Sequence, residues 1–587
     1  MSVKALGEIR TIRVQQKQKN GDIYVIERTI RYDQEKKYNV VQSSKVIGKI
    51  VKGSTEIVPT RPKKKRKDNQ VNMEKESSNK LTATRLKTGM MDIIDHIGKV
   101  SGIDDAIYES SEDLGTAQKI ISLARYLLAT NGQSLPGITA WQFTHSLPYE
   151  DGFSEEIYHN LFESLGRNET LQQNFFKLRC EPLKQNAVLA YDSTTISTYS
   201  GNLPEARRGF NKAKDGLETI KLLTLYSVET RQPVAFSKQP GNIPDVITIE
   251  NALKQLEVLG IGRAQIVTDN GYYSESNLSH MLLAHYDFIT LVKTSIKWVK
   301  AELDAHLNDF QGTSSACPFD PITHGITITL KRDFKKTRKY ANNTSGAKKG
   351  DEETFSRRVY LNLYFNAVRK NDEDASLDRD LIELKTFLET KGNEVEDLNE
   401  STQNKVASFL NITKRGDKTI ITFNDAAIIE KKKYHGFFAL VSNSEKDAFE
   451  CLKKYRKRET IEFFFESGKQ RADGTRPRVW HTDALRGRMF VQFITLCYYE
   501  YFLDMIRNMK EKLGVKTGDP QHDLKQNLDK ENELKSWLDK TPLYLVLQWF
   551  DAIEEVKVSN KLRTKRWSTE KTSRDKMFLA KLGMNLS

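Results

Sequence analysis

The sequence predicts an α/β protein of several domains, and three observations carry that reading. Short apolar runs bounded by turn residues, Ala187–Tyr191 and Ala264–Thr268, read as buried strands. Segments such as Asp113–Thr130 space their apolar residues (Leu114, Ile120, Ile121, Leu123, Leu127, Leu128) as one face of a helix. A chain of 587 residues also exceeds what one hydrophobic core usually serves.

Residues 1–60 alternate apolar and polar positions, with the turn signal Asn20-Gly21-Asp22 between Ile12–Gln18 and Ile23–Ile30, and are expected to form a small β-rich module. Residues 61–80 open with Arg61-Pro62-Lys63-Lys64-Lys65-Arg66-Lys67 and read as a basic and polar linker, either solvated or touching a DNA backbone. Residues 81–180 are helical by periodicity. Within 181–300 the two strands are joined by a hairpin (Ile220–Val228 and Gln232–Ser237), then a helix from Asp245 to Leu259. After Asn270-Gly271, Ser274 can cap a helix running to His285, and Phe288–Lys293 is a further strand. Residues 301–435 hold strand-like runs at Ile326–Leu330, Arg357–Tyr364 and Thr419–Thr422 around a polar, helix-prone stretch from Asp374 to Leu410. In 436–510 a strand at Gly436–Val441 precedes the apolar stretch Met489–Met505. Its Gln492, Glu500 and Asp504 and its length make it a buried core helix rather than a membrane span. Residues 511–587 are expected to be helical around Leu543–Ile553 and Asp575–Leu586, a candidate dimerisation region.

Chemistry concentrates at three acids. Tyr455, Arg458, Glu462 and Lys469 are spaced 3, 4 and 7 apart, close to whole helical turns, so on a single helix they share one face. Ile461, Phe463, Phe464 and Phe465 cover the rest of that helix, which predicts a core helix with a buried carboxylate in need of a cation. Such a carboxylate can hold a divalent metal, while the guanidinium, ammonium and phenol can grip a phosphodiester. Asp192 and Asp269 each follow an apolar strand, at the carboxyl end where open α/β sheets place their ligands. Taken singly, each aspartate reads as a turn or N-cap residue; it is the three acids jointly that point to a site.

Together, Asp192, Asp269 and Glu462 resemble the catalytic triad of DDE transposases encoded by bacterial insertion sequences. The branch it resembles carries the Y-(2)-R-(3)-E-(6)-K signature, which Tyr455, Arg458, Glu462 and Lys469 match at every position. Further matching pieces are YDSTT around Asp192, TDNGYYS around Asp269, Gly241-Asn242 before Asp245, Arg476-Pro477, and Asp483-Ala484-Leu485-Arg486-Gly487-Arg488. The resemblance covers roughly residues 185–505. It implies an RNase H-like mixed-sheet core, as in retroviral integrases, with Asp192 on the first strand, Asp269 on the fourth and Glu462 on a later helix. It also implies a β-rich insertion in the interval of 462 − 269 = 193 residues between Asp269 and Glu462. The implied chemistry is cut-and-paste DNA transposition, with two Mg²⁺ or Mn²⁺ ions held by the three carboxylates about 3.5–4 Å apart. Tyr455, Arg458 and Lys469 would hold a phosphate, with Lys293, Arg476 and Arg486 as further DNA contacts. The expected partners are double-stranded DNA (the element's terminal inverted repeats and the target) and a second copy of the chain; by position, 81–180 would bind the element ends.

Composition agrees without deciding the matter. Lys+Arg of 92 against Asp+Glu of 78 gives a net charge of +14, which suits a polyanion partner. Four scattered cysteines without a CxxC pair point to a reducing compartment and no structural zinc. With no histidine cluster either, carboxylate-only ligation points to magnesium or manganese. The first residues lack the apolar core of a signal peptide, so a cytoplasmic, nucleoid-associated bacterial protein is expected, with no membrane partner. Two other classes stay open: another RNase H-like nuclease, or a retired transposase that only binds DNA. The complete signature favours transposase over the first. The intact triad favours it over the second, since unpaired carboxylates are costly to keep.

Overall fold

The computed structural model describes residues 9–17, 23–33, 38–51, 54–58, 82–183, 187–338, 348, 350–391, 395, 398–415, 418–559 and 564–584. The Asn20-Gly21-Asp22 turn and the linker with its basic run 61–67 lie outside the described residues. The chain forms two compact units, Met1–Lys80 and Leu81–Ser587. The first contains an antiparallel sheet of Ile9–Lys17, Ile23–Asp33 and Tyr38–Ile50. Its third strand was not foreseen, because Ser43, Ser44 and Lys45 interrupt the apolar alternation that marks the other two.

The second unit is built on a nine-stranded mixed sheet. Its strands are β1 (Ala187–Thr198), β2 (Glu218–Ser227), β3 (Gln232–Pro240), β4 (Ala264–Thr268), β5 (Asp287–Val292), β6 (Ala316–Cys317), β7 (Asp320–Thr337), β8 (Glu352–Asn366) and β9 (Phe437–Ser442). Across the sheet they run β6-β7-β8-β9-β5-β4-β1-β2-β3. β4 pairs in parallel with β1 on one side and β5 on the other, and every other neighbour is antiparallel. The three parallel strands are apolar runs buried on both faces, as parallel strands require. The sequence reading ended β1 at Tyr191 and assigned Asp192–Thr195 to a turn. The strand instead continues to Thr198, because Thr194, Thr195 and Ile196 are β-branched and β2 offers an antiparallel partner out to Thr198↔Glu218.

Of the segment boundaries read from the sequence, those at 180, 300, 435 and 510 fall inside the second unit. β7 and β8, expected in a separate β-rich insertion, extend the main sheet through β9. The remainder of that interval is largely helical (Ala367–Lys391, Glu400–Phe409 and Asp425–Lys432), with a small hairpin and its own minor core of Leu388, Val406, Leu410 and Ile421. The six helices between Gly89 and Cys180 share the main hydrophobic core.

Those helices are joined to the sheet by the 31-residue helix Thr482–Lys512, which carries Met489–Met505 as a buried core helix. Helix Glu155–Arg167 crosses it on paired glycines: a Cβ on Gly487 would stand 2.0 Å from the Phe162 carbonyl, and one on Gly166 1.9 Å from that of Asp483. The C-terminal region is not purely helical. A hairpin, Glu554–Ser559 with Thr564–Ser568, pairs with Thr82–Lys87 to close a three-stranded sheet. Its alternating Val556 and Val558 are a strand signal too short to separate from a loop in sequence. All four cysteines are buried and free. Among the described residues no helix is long and apolar enough to cross a membrane.

Candidate active site

The parallel ladder explains why two distant aspartates meet. Its last paired rung is Ala190↔Val267, and both Asp192 and Asp269 lie two residues beyond it, Asp269 just past the end of β4 and Asp192 within β1, where that strand continues paired with β2. Each aspartate accepts a hydrogen bond from the next backbone N–H: Ser193 to Asp192 at 2.7 Å and Asn270 to Asp269 at 2.6 Å. Asp192 is 9% exposed.

The signature residues do not lie on one continuous helix. Helix α1 (Ala448–Arg456) carries Tyr455, and α2 (Glu459–Arg471) carries Glu462 and Lys469. Arg458 sits at the corner between them. There the backbone tightens to three-residue bonds (Arg458 N–H to Tyr455 O and Ile461 N–H to Arg458 O, each 2.9 Å). The Thr460 hydroxyl also donates to the Lys457 carbonyl at 2.7 Å, competing with the helical ladder. The corner aims the Arg458 side chain inward, where the residue is 5% exposed.

The expectation of a buried Glu462 is also corrected. Only Ile461, Phe464 and Phe465, at i, i+3 and i+4, form the buried stripe of α2. Phe463 is exposed, and the Glu462 side chain is 60% exposed. The carboxylate that burial isolates is Asp192.

Arg458 answers that isolation. Its Nη1 donates to Asp192 Oδ2 and its Nη2 to Glu462 Oε1, both at 2.9 Å, so one planar fork ties the sheet acid to the helix acid. Tyr455 donates to Asp269 Oδ1 at 3.5 Å. Burial raises the Asp192 carboxyl above its ordinary range, against the pull of Arg458, the Ser193 N–H and Lys212, while Asp269 pushes it further up. Burial works against the Arg458 charge, but Tyr455, Asp192, Asp269 and Glu462 outweigh it and hold the guanidinium above its usual value. Burial likewise raises the Tyr455 phenol and lowers the half-buried Lys469 ammonium, the latter with help from Lys212.

A second row supports the acids. Asp245 accepts from Lys221 Nζ at 2.6 Å and from Ser193 Oγ at 2.8 Å, so it steadies the residue that bonds Asp192. A Cβ on Gly241 would lie 2.1 Å from the Thr219 carbonyl, which accounts for the glycine noted before Asp245. Sequence reasoning missed Lys221 and Lys212. The signal for Lys221 was a lysine inside the otherwise apolar Ile220–Leu223 run, since a charge buried in a strand needs a partner.

The remaining candidates divide. Lys293 is exposed, just past β5 at the same sheet end as Asp269. Arg476 donates to Asp215 Oδ2 at 3.0 Å and ties the chain after α2 to the loop between β1 and β2. Arg486 is bonded to Glu169 and the Gly166 carbonyl at the helix crossing, where its charge is met within the protein.

Among the described residues no three His, Cys, Asp or Glu side chains stand together as a ready metal site. Asp192 and Glu462 are bridged by a guanidinium, and Asp269 lies beside Asp192 on the sheet. The donors are oxygen only, and two of them, Asp192 and Glu462, are paired with the Arg458 guanidinium. That chemistry suits Mg²⁺ or Mn²⁺.

With this geometry in place, comparison with known proteins is direct. The family model of the transposase DDE domain matches residues 184–498, more than half the chain, and the protein belongs to that family. No curated protein matches it. Among solved structures, it is similar to the piggyBac transposase in a synaptic complex with hairpin DNA. That likeness has 10% identity and a TM-score of 0.34 over 78% of this chain and 81% of the other, too distant to carry a conclusion.

Proposed function

We propose that this protein is the DNA-cutting and DNA-joining enzyme of a bacterial insertion sequence, of the branch with the Y-(2)-R-(3)-E-(6)-K signature, working by cut-and-paste transposition. The observation that carries the reading is the placement of Asp192 and Asp269 beyond one ladder rung, with Arg458 linking Asp192 to Glu462. Asp192, Asp269 and Glu462 would hold two divalent ions, Mg²⁺ or Mn²⁺. When bound, these supply an activated water and offset charge on the leaving oxygen. Asp192 must be ionised for that role; burial raises its carboxyl and Arg458 opposes that rise. Arg458, Lys469 and Tyr455 then orient a phosphate, for which the arginine fork is well shaped. The substrates would be the element's inverted ends and target DNA, acted on by a homodimer in the bacterial cytoplasm, with the helices of 81–180 reading the ends.

Another RNase H-like nuclease would need the triad but not Tyr455 and Lys469 at these positions. A retired DNA-binding descendant would need neither. The test is Mg²⁺-dependent cutting of a plasmid carrying the gene with its native flanks, comparing wild type with Glu462→Gln. The expected result is cuts at inverted flanking ends by wild type, lost in the variant and lost on chelation of the metal. If both proteins bind the flanks and neither cuts, the catalytic reading fails and a binding role takes its place.

A further inference from the structure

Between β1 and β2 the chain runs through residues 199–217, and this loop is fixed in place. The Asp215 carboxylate accepts from Asn211 Nδ2 at 2.7 Å, from Ser197 Oγ and the Leu217 N–H at 3.2 Å each, and from Arg476 at 3.0 Å. The backbone N–H of Lys212 is itself held, donating to Thr195 Oγ1 at 3.2 Å. What the loop delivers is the Lys212 ammonium, which donates to the Ser193 carbonyl at 3.1 Å, one residue from Asp192.

Lys469 lines a pocket with Thr194, the residue after the Ser193 whose carbonyl Lys212 holds; among the described residues neither lysine makes an ion pair, and Lys212 adds to the burial that lowers the Lys469 ammonium. Lys212 also draws the Asp192 carboxyl down against its burial. Two unpaired like charges side by side repel, and a fold that fixes one of them from both backbone and loop gains only when an anion joins them. The residue is exposed, so a strand of DNA can reach it.

We propose that Lys212 is a second ammonium of the active site, gripping together with Lys469 the phosphodiester on which Asp192, Asp269 and Glu462 act. This rests on the reading of the site as a DNA-cutting centre. Neither lysine alone encloses a phosphate; one from the loop and one from α2 approach it from two elements.

The test uses the full-length protein, wild type and Lys212→Gln, with Lys212→Arg as the charge-preserving control. Each is titrated with duplex DNA carrying the gene's native flanks at several salt concentrations, and assayed for Mg²⁺-dependent cutting of the same DNA. Lys212→Gln is expected to lower the slope of log affinity against log salt by about 0.9, the value of one lost phosphate contact. It is also expected to slow cutting about 10- to 100-fold, with Lys212→Arg close to wild type. The lysine side chain makes one hydrogen bond, so Lys212→Gln should melt at the wild-type temperature; were it to melt lower, the slopes are compared at a temperature where both proteins are fully folded. An unchanged slope in Lys212→Gln overturns the inference whatever the cutting rate. A lowered slope when no protein cuts, wild type included, keeps Lys212 as a DNA contact and removes the catalytic reading. No DNA binding by wild type removes both.

Discussion

Arg458 decides how the site behaves at the scale of single residues. It is buried and forks between a buried aspartate and an exposed glutamate, so its loss is felt chiefly by Asp192. Removing one partner of a buried ion pair leaves the other uncompensated, and Arg458→Gln is expected to lower unfolding stability by about 3 kcal/mol at neutral pH. Urea denaturation measures this, and an unchanged midpoint would mean that Asp192 is already protonated in the native protein. Arg458→Lys retains the charge but not the fork, so it should recover part of the stability without tying both acids. The residue types of this site were legible in the sequence because spacing and strand-end position are local properties. Which carboxylate is buried was not. The corner at Arg458 depends on three-residue backbone bonds and on the Thr460 hydroxyl, and a reading by helical periodicity treats that corner as one more turn of helix.

The long helix Thr482–Lys512 shows the same division at the scale of elements. Its apolar stretch and its Gln492, Glu500 and Asp504 were enough to identify a core helix, but the sequence could not say what those acids face. Glu500 is 3% exposed, accepts from the Tyr226 hydroxyl at 3.1 Å, and has no partner for its other oxygen among the described residues. Burial pushes its carboxyl up to about 7, reinforced by Asp504 and only partly opposed by Tyr226 and Arg507. The folded-state value lies above the unfolded value of 4.5, so the protonated form stabilises the fold below pH 4.5 and that stability is lost as pH rises through about 7. Glu500→Gln keeps the acceptor for Tyr226 and carries no charge. It should match wild type near pH 4 and exceed it by up to about 3 kcal/mol above pH 7. Thermal unfolding across that range checks it; a variant no more stable at pH 8 than at pH 4, relative to wild type, would show that Glu500 ionises without cost.

For the whole molecule, the sequence suggested a string of domains where the chain builds two units, because long-range pairing leaves no local mark. Thr82–Lys87 is the clearest case: it reads as the polar start of a helical region, yet it pairs with Glu554–Ser559 from the far end of the chain. The junction is reinforced by Lys87 Nζ to Asp551 at 2.6 Å and by the Thr88 N–H to the Ile553 carbonyl at 3.0 Å. Gly89 is needed there, since a Cβ would meet the Phe550 carbonyl at 2.6 Å. The second unit therefore begins at its first strand, not at its first helix. Deleting residues 1–80 removes one compact unit and leaves the contacts within the other in place, so the truncated chain is expected to keep the main unfolding transition at the full-length temperature. Extending the deletion to residue 88 takes a strand from the closing sheet and the salt bridge with it, and should lower that transition by about 1–2 °C, the shift that about 1–2 kcal/mol gives in a unit this size. Calorimetry on the two truncations separates them, and equal melting temperatures would mean that the chain termini are not held by this sheet.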